Sequence, residues 1–394
     1  MPRHFAFMAP PFDGHVNPTL PLVEELVRRG HRITYATGDR KLETVRASGA
    51  RPVDLGLDFA LPSHSFDRIT PEMMAEMTHR FLDHVRDSFP SLRERFVADP
   101  PEAVCHDMMM PAGPMLADTL GVAQVALVPN FAANERFSLA KTFLPEDFDT
   151  EHPALREVER SRLELADQLG VTPPGPLFSP QPAGLNLVFV PLQFQYAAET
   201  FDDRFRFLGP SLGSRARNES FTPRDPEAPL LFVSLGTAFN NRPEFYRRCL
   251  EAFGGTSWEV AMSVGERVDP AELGTLPDNV DVRPRFPQPA VLEHADVFLS
   301  HTGMNSTMEA LYHGVPLVAY PQMPEQRANA ERAEQLGLAR ILAEEASAST
   351  LRRTVEEVAG DERMRAVAAA TSLGVRSGGG AVAGADALEA HLAR

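Results

Sequence analysis

The sequence predicts two doubly wound α/β domains, each a parallel sheet covered by helices. Three observations carry this. Short apolar runs alternate with helical stretches through both halves of the 394-residue chain. Each half opens on a strand, a glycine-containing loop and a helix. A Gly/Ser/Pro-rich stretch, residues 211–229, separates the halves as an interdomain linker would.

Residues 4–10 (HFAFMAP) read as a short buried strand, followed by the loop PFDGH. The next stretch, VNPTLPLVEELVRRG, reads as a helix with its prolines at the start and Gly30 as its stop. RITYATG (32–38) is a second strand, and strand, helix and strand within about 35 residues make a right-handed βαβ unit. EAVCHD (102–107) and AQVALVP (123–129) are further strands. Residues 141–183 turn rich in proline and charge, and predict a mobile excursion carrying one amphipathic helix, PALREVERSRLELADQLG. LNLVFVPL (185–192) resumes the sheet. Beyond the linker, strands are expected at 230–236, 258–265, 279–286, 297–300 and 316–321, with helices at EFYRRCLEAF and NSTMEALYHG. The resulting domains are 1–210 and 230–376, with a helical tail, 377–394, expected to pack back on the first domain.

The chain carries 54 acidic against 38 basic residues, a formal charge of -16. Such a chain is repelled by phosphate backbones and anionic lipid, which argues against nucleic acid or a membrane surface as partner. The amino terminus has no signal-peptide pattern and no apolar run reaches 18 residues. Cys105 and Cys249 have no metal-type spacing and read as buried free thiols, so a cytoplasmic location is expected.

The most informative stretch is 287–326. A buried strand ends at Ser300, and the turn His301-Thr302-Gly303 leads into a helix whose first turn holds Asn305, Ser306 and Thr307. Free amides and the dipole at that end attract an anion, and Gly303 allows close approach. By itself the Asn-Ser-Thr triplet reads as a helix cap, because capping is common. As a whole the stretch resembles the nucleotide-sugar signature of the family-one glycosyltransferases. The matching pieces are Pro287-Gln288, His301 through Thr307, Glu309, His313-Gly314-Val315-Pro316 and Glu325-Gln326. The resemblance runs along nearly the whole chain. It is closest to the bacterial branch that glycosylates macrolides, whose members share the Gly14-His15-Val16-Asn17-Pro18 motif.

That resemblance implies a GT-B fold: α/β, with two Rossmann-like doubly wound domains facing each other across a cleft, the first taking the acceptor and the second the nucleotide sugar. It implies that Glu309 holds the ribose hydroxyls and that Gln288 lies by base and ribose. His301, Gly303, Asn305 and Ser306 would hold the diphosphate, and Ser234 and Thr237 would lie near it. Glu325 and Gln326 would read the sugar hydroxyls. Where many relatives stack a tryptophan on uracil, this chain has Arg285, followed by Phe286. A guanidinium can also stack on a base, which leaves uracil against thymine open.

His15, at a helix start where the positive dipole favours a neutral ring, suits a general base. A carboxylate should orient it, and Asp107, at the end of its strand, is the candidate; the resemblance implies a catalytic Asp there. No metal is expected. Asp147-Phe148-Asp149 mimics an acidic metal motif but lacks a preceding apolar strand. The reaction so read is an inverting transfer, without cofactor, from a UDP-sugar, with UDP-glucose expected, to a hydroxyl of a small apolar acceptor. Met and Phe at helical spacing in 69–85 read either as core or as an adaptable acceptor wall. A TDP-deoxysugar transferase in antibiotic assembly is the alternative, with a nucleotide-sugar epimerase or a non-catalytic helper behind it. Either a monomer or a homodimer is compatible with the sequence.

Overall fold

The computed structural model describes residues 1–57, 68–173, 175, 176, 178, 179 and 181–393. The chain forms two compact units. One comprises the chain through Leu57, Arg68–Ser211 and the stretch from Gly378 onward; the other is Leu212–Ser377.

The first unit holds a seven-stranded parallel sheet of β1 (His4–Met8), β2 (Arg32–Thr37), β3 (Arg51–Asp54), β4 (Ala103–Asp107), β5 (Ala123–Val128), β6 (Leu185–Val188) and β7 (Phe205–Phe207). Its order is β3-β2-β1-β4-β5-β6-β7. Side chains alternate across it with the period of two that a strand imposes. Phe5 and Phe7 join one core with Leu22, Leu26 and Leu187. Ala6 and Met8 join the other with Val104, Phe89 and Leu92. The sheet reverses its direction of growth between β1 and β4; the segment after β1 carries His15, and β4 ends on Asp107.

The second unit holds β8 (Leu230–Ser234), β9 (Glu259–Ser263), β10 (Val280–Arg283), β11 (Val297–Ser300), β12 (Leu317–Ala319) and β13 (Ala339–Ile341), ordered β10-β9-β8-β11-β12-β13, all parallel. Here the reversal falls between β8 and β11, whose ends carry Ser234 and the His301 turn.

Three expectations need correction. The 141–183 stretch is no excursion: its helix Pro153–Leu169 packs on the long helix Pro71–Ala98 and buries Leu155, Val158 and Leu165. Residues 211–229 carry a short helix, Gly213–Asn218, tied into the second unit. The first helix of the chain is broken, because Pro18 and Pro21 lack donors. Helical turns at Asp13–Val16 and a 3-10 turn at Asn17–Thr19 precede Leu20–Arg28.

The carboxyl-terminal helix Gly380–His391 lies on Leu20–Arg28. Gly384 leaves room for Leu208 and Leu22. Arg29 Nη1 donates to Asp386 and Glu389 at 2.7 and 2.8 Å, and His31 Nε2 pairs with Glu389 at 2.7 Å. Among the described residues no helix is long and apolar enough to cross a membrane.

Candidate functional site

In the first unit, His15 Nδ1 lies 2.8 Å from Asp107 Oδ2. Asp107 is fully buried while His15 is 22% exposed, so the carboxylate lies on the inner side of the pair and the ring on the outer. The second carboxylate oxygen, Oδ1, accepts from the backbone amide of Met109 at 2.8 Å. Both oxygens thus have fixed partners, and the aspartate cannot rotate without losing one. The Phe12 ring meets the imidazole edge-on, with centroids 5.9 Å apart. Asp13, two residues away, is held by Lys41 Nζ at 2.5 Å and by Asn17 Nδ2 at 3.3 Å. A neutral ring whose Nδ1–H is held by a carboxylate presents an Nε2 lone pair, the form a base requires.

In the second unit, β11 ends at Ser300 and the chain turns through His301, Thr302 and Gly303 into the helix Met304–His313. Thr302 has φ +58°, rare for a β-branched residue. The conformation is held by three groups: Ser300 Oγ accepts from Thr302 N at 3.0 Å, Thr302 Oγ1 donates to the Gln326 carbonyl at 3.0 Å, and Asn329 Nδ2 donates to the Thr302 carbonyl at 3.0 Å. Gly303 is the N-cap and supplies no side-chain acceptor to the helix's first amides.

The two glycines beside His301 serve its ring. A Cβ at Gly236, which has φ +75°, would come within 2.5 Å of Cε1 and Nε2, and one at Gly303 within 2.5 Å of Nε2. The ring's Nδ1 is buried without a hydrogen-bond partner, and burial pushes its pKa down to about 4. His301 is therefore neutral at physiological pH and can act as a hydrogen-bond donor, not as a cation.

Glu309, 2% exposed, stands in a network of donors. Gln288 Nε2 reaches its Oε2 at 2.8 Å and Ser306 Oγ at 3.1 Å; Asn305 Nδ2 reaches its Oε1 at 3.1 Å. The structure thus gathers Gln288, Asn305, Ser306 and Glu309. Glu325 accepts from Asn329 at 2.5 Å. Gln326 is buried, and its side-chain oxygen accepts from the amide of Gln322 at 2.9 Å, so half of its amide shapes its own loop. Ser234 is buried at the end of β8, and Thr237 is exposed. Arg285 is exposed, and Phe286 meets Phe221 and Phe232 edge-on under the guanidinium of Arg283, 4.8 Å from its ring centre. Asp147 pairs with Arg68 at 2.5 Å, and Phe148 packs on Phe178.

Sequence reasoning missed Arg215 and Asn329. Asn329 follows Glu325 by four residues on the helix Pro324–Gln335, a spacing that does place side chains together. Arg215 carries no local signal.

Two parallel doubly wound sheets in sequence are the GT-B architecture. Residues 247–375 match the family described as erythromycin biosynthesis protein CIII-like, C-terminal domain. The chain is 37% identical to the NDP-glycosyltransferase YjiC of Bacillus licheniformis, over 99% of this chain and 98% of that protein. It is 36% identical to demethyllactenocin mycarosyltransferase of Streptomyces fradiae, over 99% and 86%. The oleandomycin glycosyltransferase of Streptomyces antibioticus is 34% identical, over 99% and 91%. A solved calicheamicin glycosyltransferase superposes with a TM-score of 0.85 at 34% identity, over 100% and 99% of the two chains. The protein belongs to the GT-B nucleotide-sugar glycosyltransferases, in the branch that includes the macrolide glycosyltransferases.

Proposed function

We propose that the enzyme transfers glucose from UDP-glucose to a hydroxyl of a small apolar acceptor, a macrolide, polyketide or flavonoid-like compound, by a metal-independent inverting displacement. The observation that carries the mechanism is the 2.8 Å contact between His15 and a fully buried Asp107. His15 Nε2 takes the proton of the acceptor hydroxyl as its oxygen bonds to the anomeric carbon, and the bond from that carbon to the nucleoside diphosphate breaks. Asp107 steadies the imidazolium so formed. The departing diphosphate takes on charge, which His301, Asn305, Ser306 and the amides beginning the helix Met304–His313 would stabilise in place of a metal.

Glu325 and Gln326 support a fully hydroxylated hexose, since a carboxylate accepts from sugar hydroxyls and an amide NH2 donates to them. An apolar acceptor is supported by relatives named for oleandomycin and demethyllactenocin. The relative named as a mycarosyltransferase favours a second reading, in which the donor is a TDP-linked deoxysugar.

The test is a screen of UDP-glucose and a TDP-deoxysugar against one macrolide and one flavonoid, read by mass spectrometry, with and without EDTA. Glucosylated product at an unchanged rate in EDTA supports the proposal. Preference for the deoxysugar, or a rate that EDTA removes and magnesium or manganese restores, overturns it.

A further inference from the structure

Arg215 stands outside this reading, yet it is bound to the centre of the nucleotide network. It lies on the short helix Gly213–Asn218, and its Nη1 donates to Glu309 Oε1 at 3.1 Å. A carboxylate has about four acceptor positions. In Glu309 Arg215 and Asn305 take both positions on Oε1, and Gln288 takes one on Oε2. One position remains, on Oε2. A vicinal diol gripping both oxygens must displace a donor from Oε1, whereas a single hydroxyl needs only the open position. The donor easiest to displace is Arg215, whose side chain is 31% exposed and can return to water.

We propose that Arg215 makes the nucleoside site indifferent to the ribose 2′-hydroxyl. This rests on the reading that Glu309 takes the sugar hydroxyls of the nucleoside. When the nucleotide is a ribonucleotide, the 2′-hydroxyl replaces Arg215 on Oε1. When it is a 2′-deoxyribonucleotide, Arg215 stays and the buried oxygen keeps its partner. Either way Oε1 is satisfied, so the 2′-hydroxyl exchanges one hydrogen bond for another and contributes little. The substrate class thus extends to sugars linked to ribo- and 2′-deoxyribonucleoside diphosphates alike.

Calorimetric titration with UDP and with 2′-deoxyuridine diphosphate isolates that hydroxyl, because the base is the same. The full-length wild type should bind the two within about threefold. In Arg215→Met, which keeps the apolar stem and removes the donors, Asn305 alone remains on Oε1, so UDP can fill the second position and the deoxynucleotide cannot, and the deoxynucleotide should weaken about tenfold relative to UDP. Arg215→Lys should restore most of the balance. A wild type that prefers UDP tenfold, or a ratio that does not move in Arg215→Met, overturns the proposal while leaving the role of Glu309 intact. If Glu309→Gln binds both nucleotides as the wild type does, the ribose reading of Glu309 fails, and this proposal with it. The wild-type comparison needs no variant to fold.

Discussion

Replacing Asp107 by asparagine should cost more than its small change in shape suggests. The side chain is fully buried, with Oδ1 accepting from the Met109 amide and Oδ2 facing His15 Nδ1, both at 2.8 Å. An asparagine amide can keep its oxygen on Met109, but its NH2 then faces His15 and forces Nδ1 to be the acceptor. The ring's proton moves to Nε2, and the base has lost its lone pair. The flipped amide sets NH2 against the Met109 N–H, two donors in a place without solvent to relieve them. The first orientation wins, and the wrong tautomer should lower kcat about 10³- to 10⁴-fold, roughly 4–5.5 kcal/mol of barrier. The assay is steady-state glucosylation of a flavonoid, with calorimetric UDP titration as control for folding. UDP affinity should change less than about threefold. Asp107→Ala, which loosens the ring without imposing a tautomer, should be no worse than Asp107→Asn. An asparagine variant that keeps more than a tenth of kcat would refute the tautomer argument. One that is benign while alanine is not would reduce Asp107 to a space-filling role.

Two further outcomes follow from His301. Gly303→Ala should push the ring by contact alone, whereas Gly236→Ala adds backbone strain at φ +75°. Both should weaken UDP binding about tenfold, and Gly236→Ala should also lower Tm by a few degrees; affinities within twofold of wild type would show that the ring does not touch the nucleotide. His301 and His313 both have pKa values pushed down to about 4, by burial and, for His313, also by Arg376. The unfolded chain takes these protons near pH 6.5 and the native protein only near 4, so stability is fully present above about pH 6.5 and is lost as pH falls toward 4. His301→Gln should flatten that slope in urea midpoints compared at pH 7 and pH 5, and parallel slopes would count against the buried, neutral ring.

Legibility in the sequence followed the range of the interaction. The runs HFAFM, LLFVS and VFLS announced strands because buried parallel strands are nearly continuous apolar segments. The turn at 301–303 announced itself through its histidine, glycine and following polar triplet. Three strands were missed: β3 (RPVD), β7 (FRF) and β13 (ARI). Each is a sheet edge of three or four residues carrying an arginine, too short for periodicity and polar as edges tend to be. The helix Pro153–Leu169 was legible, but its packing was not, because its partner, Pro71–Ala98, lies far off in the chain. The methionines of that partner divide: Met73 and Met77 are exposed, while Met74 packs against the core that holds Leu82, Val85 and Phe89. Among the site residues, His15 stood out at a helix start and Asp107 at a strand end, and the resemblance paired them. Arg215 meets Glu309 across 94 positions, and no local pattern encodes such a contact.

Asn329 shows how the second unit joins two tasks in one side chain. It is fully buried, and its Nδ2 donates both protons, one to the Thr302 carbonyl at 3.0 Å and one to Glu325 at 2.5 Å. Thr302 is the residue in left-handed backbone, a conformation costing about 1–3 kcal/mol that persists only while neighbours hold it. The turn that begins the helix Met304–His313 and the carboxylate read as facing the sugar are therefore fixed by the same amide. Asn329→Asp keeps the shape and removes both donors, setting a carboxylate against a carbonyl and a second carboxylate. At about 1–3 kcal/mol for each unmade buried bond, the loss is about 3 kcal/mol or more, or roughly 6–12 °C in Tm for a unit of this size. The introduced carboxyl should have a raised pKa, because burial and Glu325 both oppose its charge. Its penalty is then largest at pH 7 and shrinks as pH falls, when a proton restores one donor. The Tm gap between wild type and variant should accordingly narrow from pH 7 to pH 5, and UDP affinity at pH 7 should fall as the Thr302 turn relaxes. A gap under about 2 °C at pH 7 with unchanged UDP binding would mean that Ser300 and Gln326 hold the turn alone.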